Sequence, residues 1–450
     1  MPGNSNTRRT RGRPVSTETA ILSFLLIALA LIGSSVTIGV ALGTTSILFI
    51  LFDPMLDARA VAQSFFSFLG SFNLMTVPLF IYAGFLMERT GMVKQLFGFA
   101  EALVSRLVGG FGLAAVATCV MFSAISGSSV AVASAMSLIA IPEMRKRNYP
   151  DWLSAGIVSS GGGIGLLIPP SLSLIIYGIA TETSIVRLFL AGVIPGILLA
   201  IGMSTLVLTV AWRTPSLGSG EFSARKLRES TLAALPGLGM PVLVLGGLYG
   251  GLFTPTESAA AACGYAMIYG FASRPKAFLG ELLPVTARAV NLTAIVFFLM
   301  GSVGVFQFVA ANHAWPQKVA EAVIALELGP LAFLFGYLFV LLLLGMFVDG
   351  IALILLTVPV VFPVAKSLGI DPVHLGIVVT MGVELSVITP PVGFNLYAVS
   401  GISRIPIQTV LRGAMFFFVS DLIVTVIIIV FPQLSTWLPG AMSGASAFGG

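Results

Sequence analysis

Asp349 is the one acidic residue in the apolar run Leu331–Val364. An intramembrane carboxylate is costly and usually functional, so ligation of a cation is the chemistry it suggests. A loop-end or structurally paired aspartate is the alternative. Gly350 follows it, and Thr389-Pro390-Pro391-Val392-Gly393 lies further on. A second set has the same layout earlier in the chain, Ser126-Gly127-Ser128-Ser129 and then Ile168-Pro169-Pro170-Ser171. Ser128 and Asp349 are 221 residues apart, as are Pro169 and Pro390, Pro170 and Pro391, and Gly192 and Gly413. Gly156-Ile157-Val158 recurs as Gly376-Ile377-Val378 at an offset of 220. This is an internal duplication in which each half carries polar breaks inside apolar sequence.

Backbone groups freed from a helix within a bilayer cost several kcal/mol each unless they are satisfied, so irregular backbone survives there only in protein or beside a wet cavity. Four such breaks, two per repeat, can bring loose carbonyls and hydroxyls together. Oxygen cages suit small hard cations, and half-helix N-termini suit an anion. The bland alternative is that Gly and Pro only kink packed helices, since both are common in membrane spans. Recurrence at one offset argues against it. Glu257 reads more readily as the cap of a helix starting near Ser258 than as a ligand. Glu384, five residues before Thr389, either supports the site or faces a neighbouring helix. His313 and His374 stand at segment ends, where interfacial roles are commoner than proton relay.

The elements that must position these residues are membrane helices. The chain is 57% hydrophobic and 9% charged, with a mean hydropathy of +1.04. Ala20–Phe52, Leu188–Trp212 and Gly413–Phe431 are each long enough to span a hydrocarbon core of about 30 Å. The fold class is therefore an all-α polytopic membrane protein, because the short alternating segments of a barrel are absent. Residues 1–19 form a polar, Arg-rich extension, and the next run is too long for a signal-peptide core. The net charge of +5 reflects cytoplasmic loops rather than a nucleic-acid surface. Cys119 and Cys263 lie in apolar context without a CxxC, which speaks against redox or metal roles.

The expected organisation is repeat 1 over 20–212, a cytoplasmic loop over 213–234, repeat 2 over 235–431 and a C-terminal tail over 432–450. Within 20–52 the sequence leaves open whether one helix or two is present. Phe65–Met87, carrying Asn73 and Pro78, reads as the next membrane segment, and Val93–Val108, which mixes charge with Leu and Phe, as a surface-lying or strut helix. The first hairpin covers about 111–141 and the first broken helix about 152–181. Their counterparts cover about 331–364 and 372–402. Arg106 and Arg145-Lys146-Arg147 flank the first hairpin, which places its open end on the cytoplasmic side. The second hairpin has little positive charge at its flanks and so enters from outside. Opposed re-entrant hairpins are what inverted-topology repeats produce.

At these residues the chain resembles the large membrane subunit of the tripartite ATP-independent periplasmic (TRAP) transporters. The matching stretches are Ser126–Ala131, Gly165–Ser171, Leu188–Gly196, Gly250–Glu257, Gly369–His374 and Thr389–Gly393, and the likeness runs from about Ala20 to Phe431. The resemblance implies a sodium-coupled importer of a small organic anion in a bacterial inner membrane, working by an elevator mechanism. It implies a small membrane subunit and a periplasmic substrate-binding protein as partners. It also implies two Na+ sites. One would use Ser126, Ser128, Gly165, Ile168 and Pro170, largely through carbonyls, and the other Asp349, Thr389 and Val392. Substrate would sit near Ser129, Pro169, Gly350 and Pro391, with Glu257 and Glu384 as supporting candidates. Gly382, Ser386 and Gly163 stand where the family more often has Asn, Gly and Thr, which bears on substrate class more than on fold.

An enzyme is not expected, because HExxH, P-loop and GxSxG signatures are absent. An intramembrane aspartyl protease would need a second aspartate opposing Asp349, and Asp421 lies inside Gly413–Phe431 without a matching motif. The nearer rival is a stand-alone cation-coupled anion symporter that needs no binding protein. A channel is disfavoured by the opposed hairpins, which suit alternating access.

Overall fold

A computed structural model of the chain describes residues 17–446 apart from 35, 54–55, 215–216 and 218–222. Most of the Arg-rich extension, part of the cytoplasmic loop and the last four residues therefore lie outside the described residues. Among those described, every regular element is helical. Five helices are long and apolar enough to cross a bilayer alone. They are α10 (Ile185–Arg213), α11 (Ala224–Tyr249), α13 (Pro275–Asn312), α16 (Gly350–Ser367) and α19 (Ile407–Val430). Leu22, Leu26, Leu283, Ile295 and Phe339 are exposed, as side chains facing lipid are in a multi-pass protein.

The segment 20–52 is two helices, α1 (Thr17–Gly33) and α2 (Ile38–Phe52), folded back so that the rings of Phe24 and Phe49 meet at 5.3 Å. Phe65–Met87 is not one continuous helix. It breaks into α3 (Arg59–Leu69) and α4 (Thr76–Thr90), which bend by 62° around a 3-10 turn at Phe72–Met75. Gly70 closes α3, and the Thr76 hydroxyl is tied at 2.8 Å to that of Thr256 in α12 (Pro255–Ser273), which fixes where α4 starts. The sequence showed Pro78 and Asn73 but not this partner.

The strut is α5 (Met92–Val104). It buries Met92, Val93, Leu96, Phe97 and Ala100 against α11 and against α6 (Gly110–Ser126), and exposes Lys94. Its counterpart before the second hairpin is α14 (Trp315–Ala325). The first hairpin consists of α6 and α7 (Ser129–Lys146), and the first broken helix of α8 (Asp151–Ile164) and α9 (Leu172–Thr181). The second hairpin is α15 (Pro330–Gly345) with α16, and the second broken helix is α17 (Pro372–Ser386) with α18 (Phe394–Ser403). Starts recur at the spacing read from the sequence: Ser129 and Gly350, or Asp151 and Pro372, are 221 residues apart. The segment after 432, expected as a tail, carries a helix, α20 (Gln433–Ser446), packed on α10.

The inversion of the repeats is visible in two end-to-end contacts. The Tyr177 hydroxyl near the end of α9 donates to the Pro372 carbonyl at the start of α17, at 2.7 Å. At the opposite end, Arg145 beside the start of α8 donates to the Ser403 carbonyl at the end of α18, at 3.4 Å. The two broken helices therefore run antiparallel. The basic ends gather on one face, where Arg147 and Lys226 both reach Glu101 at 2.9 Å and Arg145 forks onto Asp151 at 2.7 and 2.9 Å. Exposed pairs like these add little stability, but they bring the ends of α5, α7 and α11 together on the face that the loop charges assign to the cytoplasm.

Helices α8 and α19 cross at a point with no room for side chains. A Cβ on Gly156 would come within 2.7 Å of the Gly413 carbonyl, and one on Gly413 would overlap the Trp152 carbonyl oxygen. Small residues allow this approach, which is how membrane helices gain packing energy without a hydrophobic driving force.

Candidate functional site

Each break follows from local chemistry. Gly127 ends α6 with φ of 59°, a left-handed conformation that a side chain resists, and Ser128 opens α7 from an extended backbone. Pro169 and Pro170 lack N–H groups, so the carbonyls of Gly165 and Leu166 lose their helical donors. The Ser171 hydroxyl donates to Leu166 instead. The second repeat solves the same problem differently. Pro390 and Pro391 remove the donors for Ser386 and Val387, whose carbonyls accept from the N–H groups of Thr389 and Asn395, both at 3.1 Å. Both Pro–Pro peptides are cis.

Each hairpin tip docks on the break of its own repeat. The N–H of Leu172 donates to the Gly127 carbonyl at 3.4 Å, and a Cβ on Gly127 would meet the Pro170 oxygen at 2.8 Å. In the second repeat the N–H of Val392 donates to the Met346 carbonyl at 3.3 Å. Gly345 lies against Ser386, and Gly350 against Val383. These contacts join the Gly127 turn, flanked by Ser126 and Ser128, to Pro170 at one tip, and Met346 to Val392 at the other, with Asp349 three residues after Met346 and Thr389 three before Val392; Gly165 lies against Ser123, one turn before the first tip. Four half-helix N-termini (α7, α9, α16 and α18) begin at these breaks.

Asp349 is the N-cap of α16. Its Oδ2 accepts from the N–H of Ile351 at 3.2 Å, within the opening turn of the helix. Thr389 donates its hydroxyl to the Leu385 carbonyl at 2.7 Å, which turns the oxygen's lone pairs away from its own helix. Of the four expected substrate contacts, Ser129, Pro169 and Gly350 are buried and Pro391 is exposed. Glu257 sits elsewhere. Its carboxylate accepts from the N–H and hydroxyl of Thr254 at 2.8 and 2.9 Å in a capping box, at an exposed helix start. Glu384 is 1% exposed and points at Gly163, where a Cβ would come within 2.5 Å of its Oε1.

One residue that the sequence reasoning passed over ties the site together. Asn395, fully buried in α18, accepts from the Ser129 hydroxyl at 2.8 Å and donates to the Ser159 carbonyl at 2.9 Å. It joins the second broken helix to the hairpin and the broken helix of the first repeat. Its signal was an amide inside an apolar stretch directly after Pro-Pro-Val-Gly. We expect Asn395→Leu to orphan both groups at about 1–3 kcal/mol each, read as a lower melting temperature in detergent. A wild-type melting temperature for that variant would show that the clamp contributes nothing.

A polar cavity of about 940 Å³ opens away from the breaks. It lies between α3 and α13 on one side and the turn from α9 to α10 on the other, with Ser64, Asn73, Glu182 and Gln307 in its lining.

A family model described as the tripartite ATP-independent periplasmic transporter, DctM component, matches residues 24–434. The C4-dicarboxylate TRAP transporter large permease protein of Vibrio cholerae serotype O1 is 35% identical over 94% of this chain and 98% of its own. The sialic acid TRAP transporter large permease protein of the same organism is 33% identical over 92% of this chain and 97% of its own. Two substrates so different at nearly equal identity leave the cargo of this chain open. The solved structure of the Alcanivorax borkumensis YdaH transporter superposes with a TM-score of 0.60 over 93% of this chain and 98% of that one. At 16% identity it shows a shared fold.

Proposed function

The chain belongs to the TRAP transporter family as its large membrane subunit, and on that premise we propose that it is the permease of a sodium-coupled importer of a small organic anion. It would work in a bacterial inner membrane with a small membrane subunit and a periplasmic substrate-binding protein. The observation that carries this reading is the convergence of four helix breaks at two opposed hairpin tips, clamped by Asn395. Sodium, as cargo, would be held at Ser126, Ser128, Gly165, Ile168 and Pro170, and again at Asp349, Thr389 and Val392. The first set offers carbonyl and hydroxyl oxygens and the second adds one carboxylate, a donor chemistry that fits a hard monovalent cation. The anion would lie between the tips near Ser129, Pro169, Gly350 and Pro391, facing half-helix N-termini whose dipoles favour negative charge.

An elevator motion is supported by the grouping of the helices. The hairpins and broken helices pack on one another and on α10, α19 and α20, while α5 and α14 lead from the outer helices into each hairpin. A polar cavity lies at one stretch of the boundary between the two groups, between α3 and α13 and the turn from α9 to α10.

The test is uptake into liposomes holding this chain and its small subunit. Labelled C4-dicarboxylate and sialic acid are offered with the cognate binding protein. Uptake of one of them should require both an inward sodium gradient and the binding protein. Equal uptake in choline would remove sodium coupling, and full uptake without the binding protein would make the chain a stand-alone symporter.

A further inference from the structure

Glu384 on α17 and Asp421 on α19 are each 1% exposed, and all four of their carboxyl oxygens lack a hydrogen-bond partner. The two groups interact electrostatically with each other. A third orphan, the fully buried Ser160 hydroxyl, belongs to the same region. It lies three residues before Gly163, which touches Glu384, and four after Gly156, which touches α19 at Gly413, so all three share one face of α8. Gly163 is what admits the carboxylate: a Cβ there would sit 2.8 Å from the Glu384 Cγ. Two carboxyl groups and a hydroxyl from three helices are thus buried in one region of the core, each without a hydrogen-bond partner.

The surrounding helices bring no counter-charge to them. Asp151 of α8 is paired with Arg145, and Arg187 and Arg213 sit at the ends of α10. Tyr177 of α9 and Tyr337 of α15 spend their hydroxyls on Pro372 and Thr357. His374, in the first turn of α17, meets Ser435 of α20. On α16 and α18, Lys366 lies in the last turn and Arg404 is the C-cap. Arg412 of α19 lies more than two turns from Asp421, and Tyr397 of α18 is exposed.

Two adjacent carboxylates cannot both stay ionised without water or a cation. We propose that Glu384 and Asp421 form an intramembrane proton-binding site, with Ser160 as its third polar member. One carboxyl group keeps a proton beside its ionised neighbour, and a second proton binds or leaves as the core meets either face. Protonation converts carboxylate to carboxylic acid and needs no further reactant. The inference goes beyond the sodium sites, which lie at the hairpin tips, and it rests on the transporter reading only for its use in transport.

Infrared difference spectroscopy of the purified protein, titrated with acid and base in H2O and D2O, tests it without any transport assay. The wild type should show a carboxylic-acid C=O band at neutral pH that shifts in D2O. The band should fall in Asp421→Asn and vanish in Glu384→Gln/Asp421→Asn. A wild type without such a band overturns the proposal, whatever becomes of the variants. So does a band of equal strength in a folded double variant. Replacing choline chloride with NaCl at fixed pH adds the remaining arm: loss of the band with sodium would make the pair a cation site and refute the proton assignment.

Discussion

If the proposed sodium site at the second tip exists, Asp349→Asn should leave the protein folded and remove one site's worth of sodium stabilisation, about 2.7 kcal/mol at a hundredfold excess over Kd. The choice of asparagine matters. Asp349 caps α16 through Oδ2, and Asn caps a helix about as well as Asp. The substitution therefore keeps the cap and removes the charge. Asp349→Ala removes both, and should cost about a further 1 kcal/mol in choline as well as sodium. The measurement is melting temperature against NaCl, with choline chloride holding ionic strength constant. A full sodium response in Asp349→Asn would mean that the carboxylate is a cap and nothing more. Any residual response in that variant reports the first tip, where the expected ligands are carbonyls and hydroxyls.

Gly413→Ala should be among the most damaging single-methyl changes in the chain. The added Cβ would occupy the space of the Trp152 carbonyl oxygen and lie 2.9 Å from the Gly156 nitrogen. Both obstacles are backbone, so α8 and α19 must move apart, with a cost of about 1–3 kcal/mol for overpacking. The movement would also loosen Glu384 from Gly163 and Ser129 from Asn395, because α8 carries or abuts each of them. Gly264→Ala is the control. It sits within α12 with open space around it, and alanine there gains up to about 1 kcal/mol of helix propensity. Equal melting temperatures for the two variants would show that the α8–α19 crossing is not a close-packed contact.

The positions of the breaks were legible because proline and glycine act locally. Pro169-Pro170 and Pro390-Pro391 remove donors wherever they stand, and repetition at 221 residues separated them from casual kinks. The inversion was legible from Arg145–Arg147 against the second hairpin's flanks, which hold little positive charge, since positive charge marks one side of a bilayer. What escaped were relations between distant residues. Nothing near Thr76 announces Thr256, so the α3–α4 bend was read as part of one membrane segment. Nothing near Asn395 announces Ser129 and Ser159. Glu384 was seen as a candidate, yet its neighbours Gly163 and Asp421 are chosen by packing that no periodicity encodes. Gly163 had been weighed only as a departure from a polar residue.

The Asn395 clamp also sets a schedule for biosynthesis. Ser129 is made 266 residues before the amide that receives its hydroxyl proton. At ~5–20 residues per second, the first hairpin waits roughly 15 to 50 s with that hydroxyl and the Ser159 carbonyl unclaimed. The first half of the duplication can then reach its final form only once the second has been made. The first half enters the bilayer as an open mould, and the last broken helix to arrive closes it.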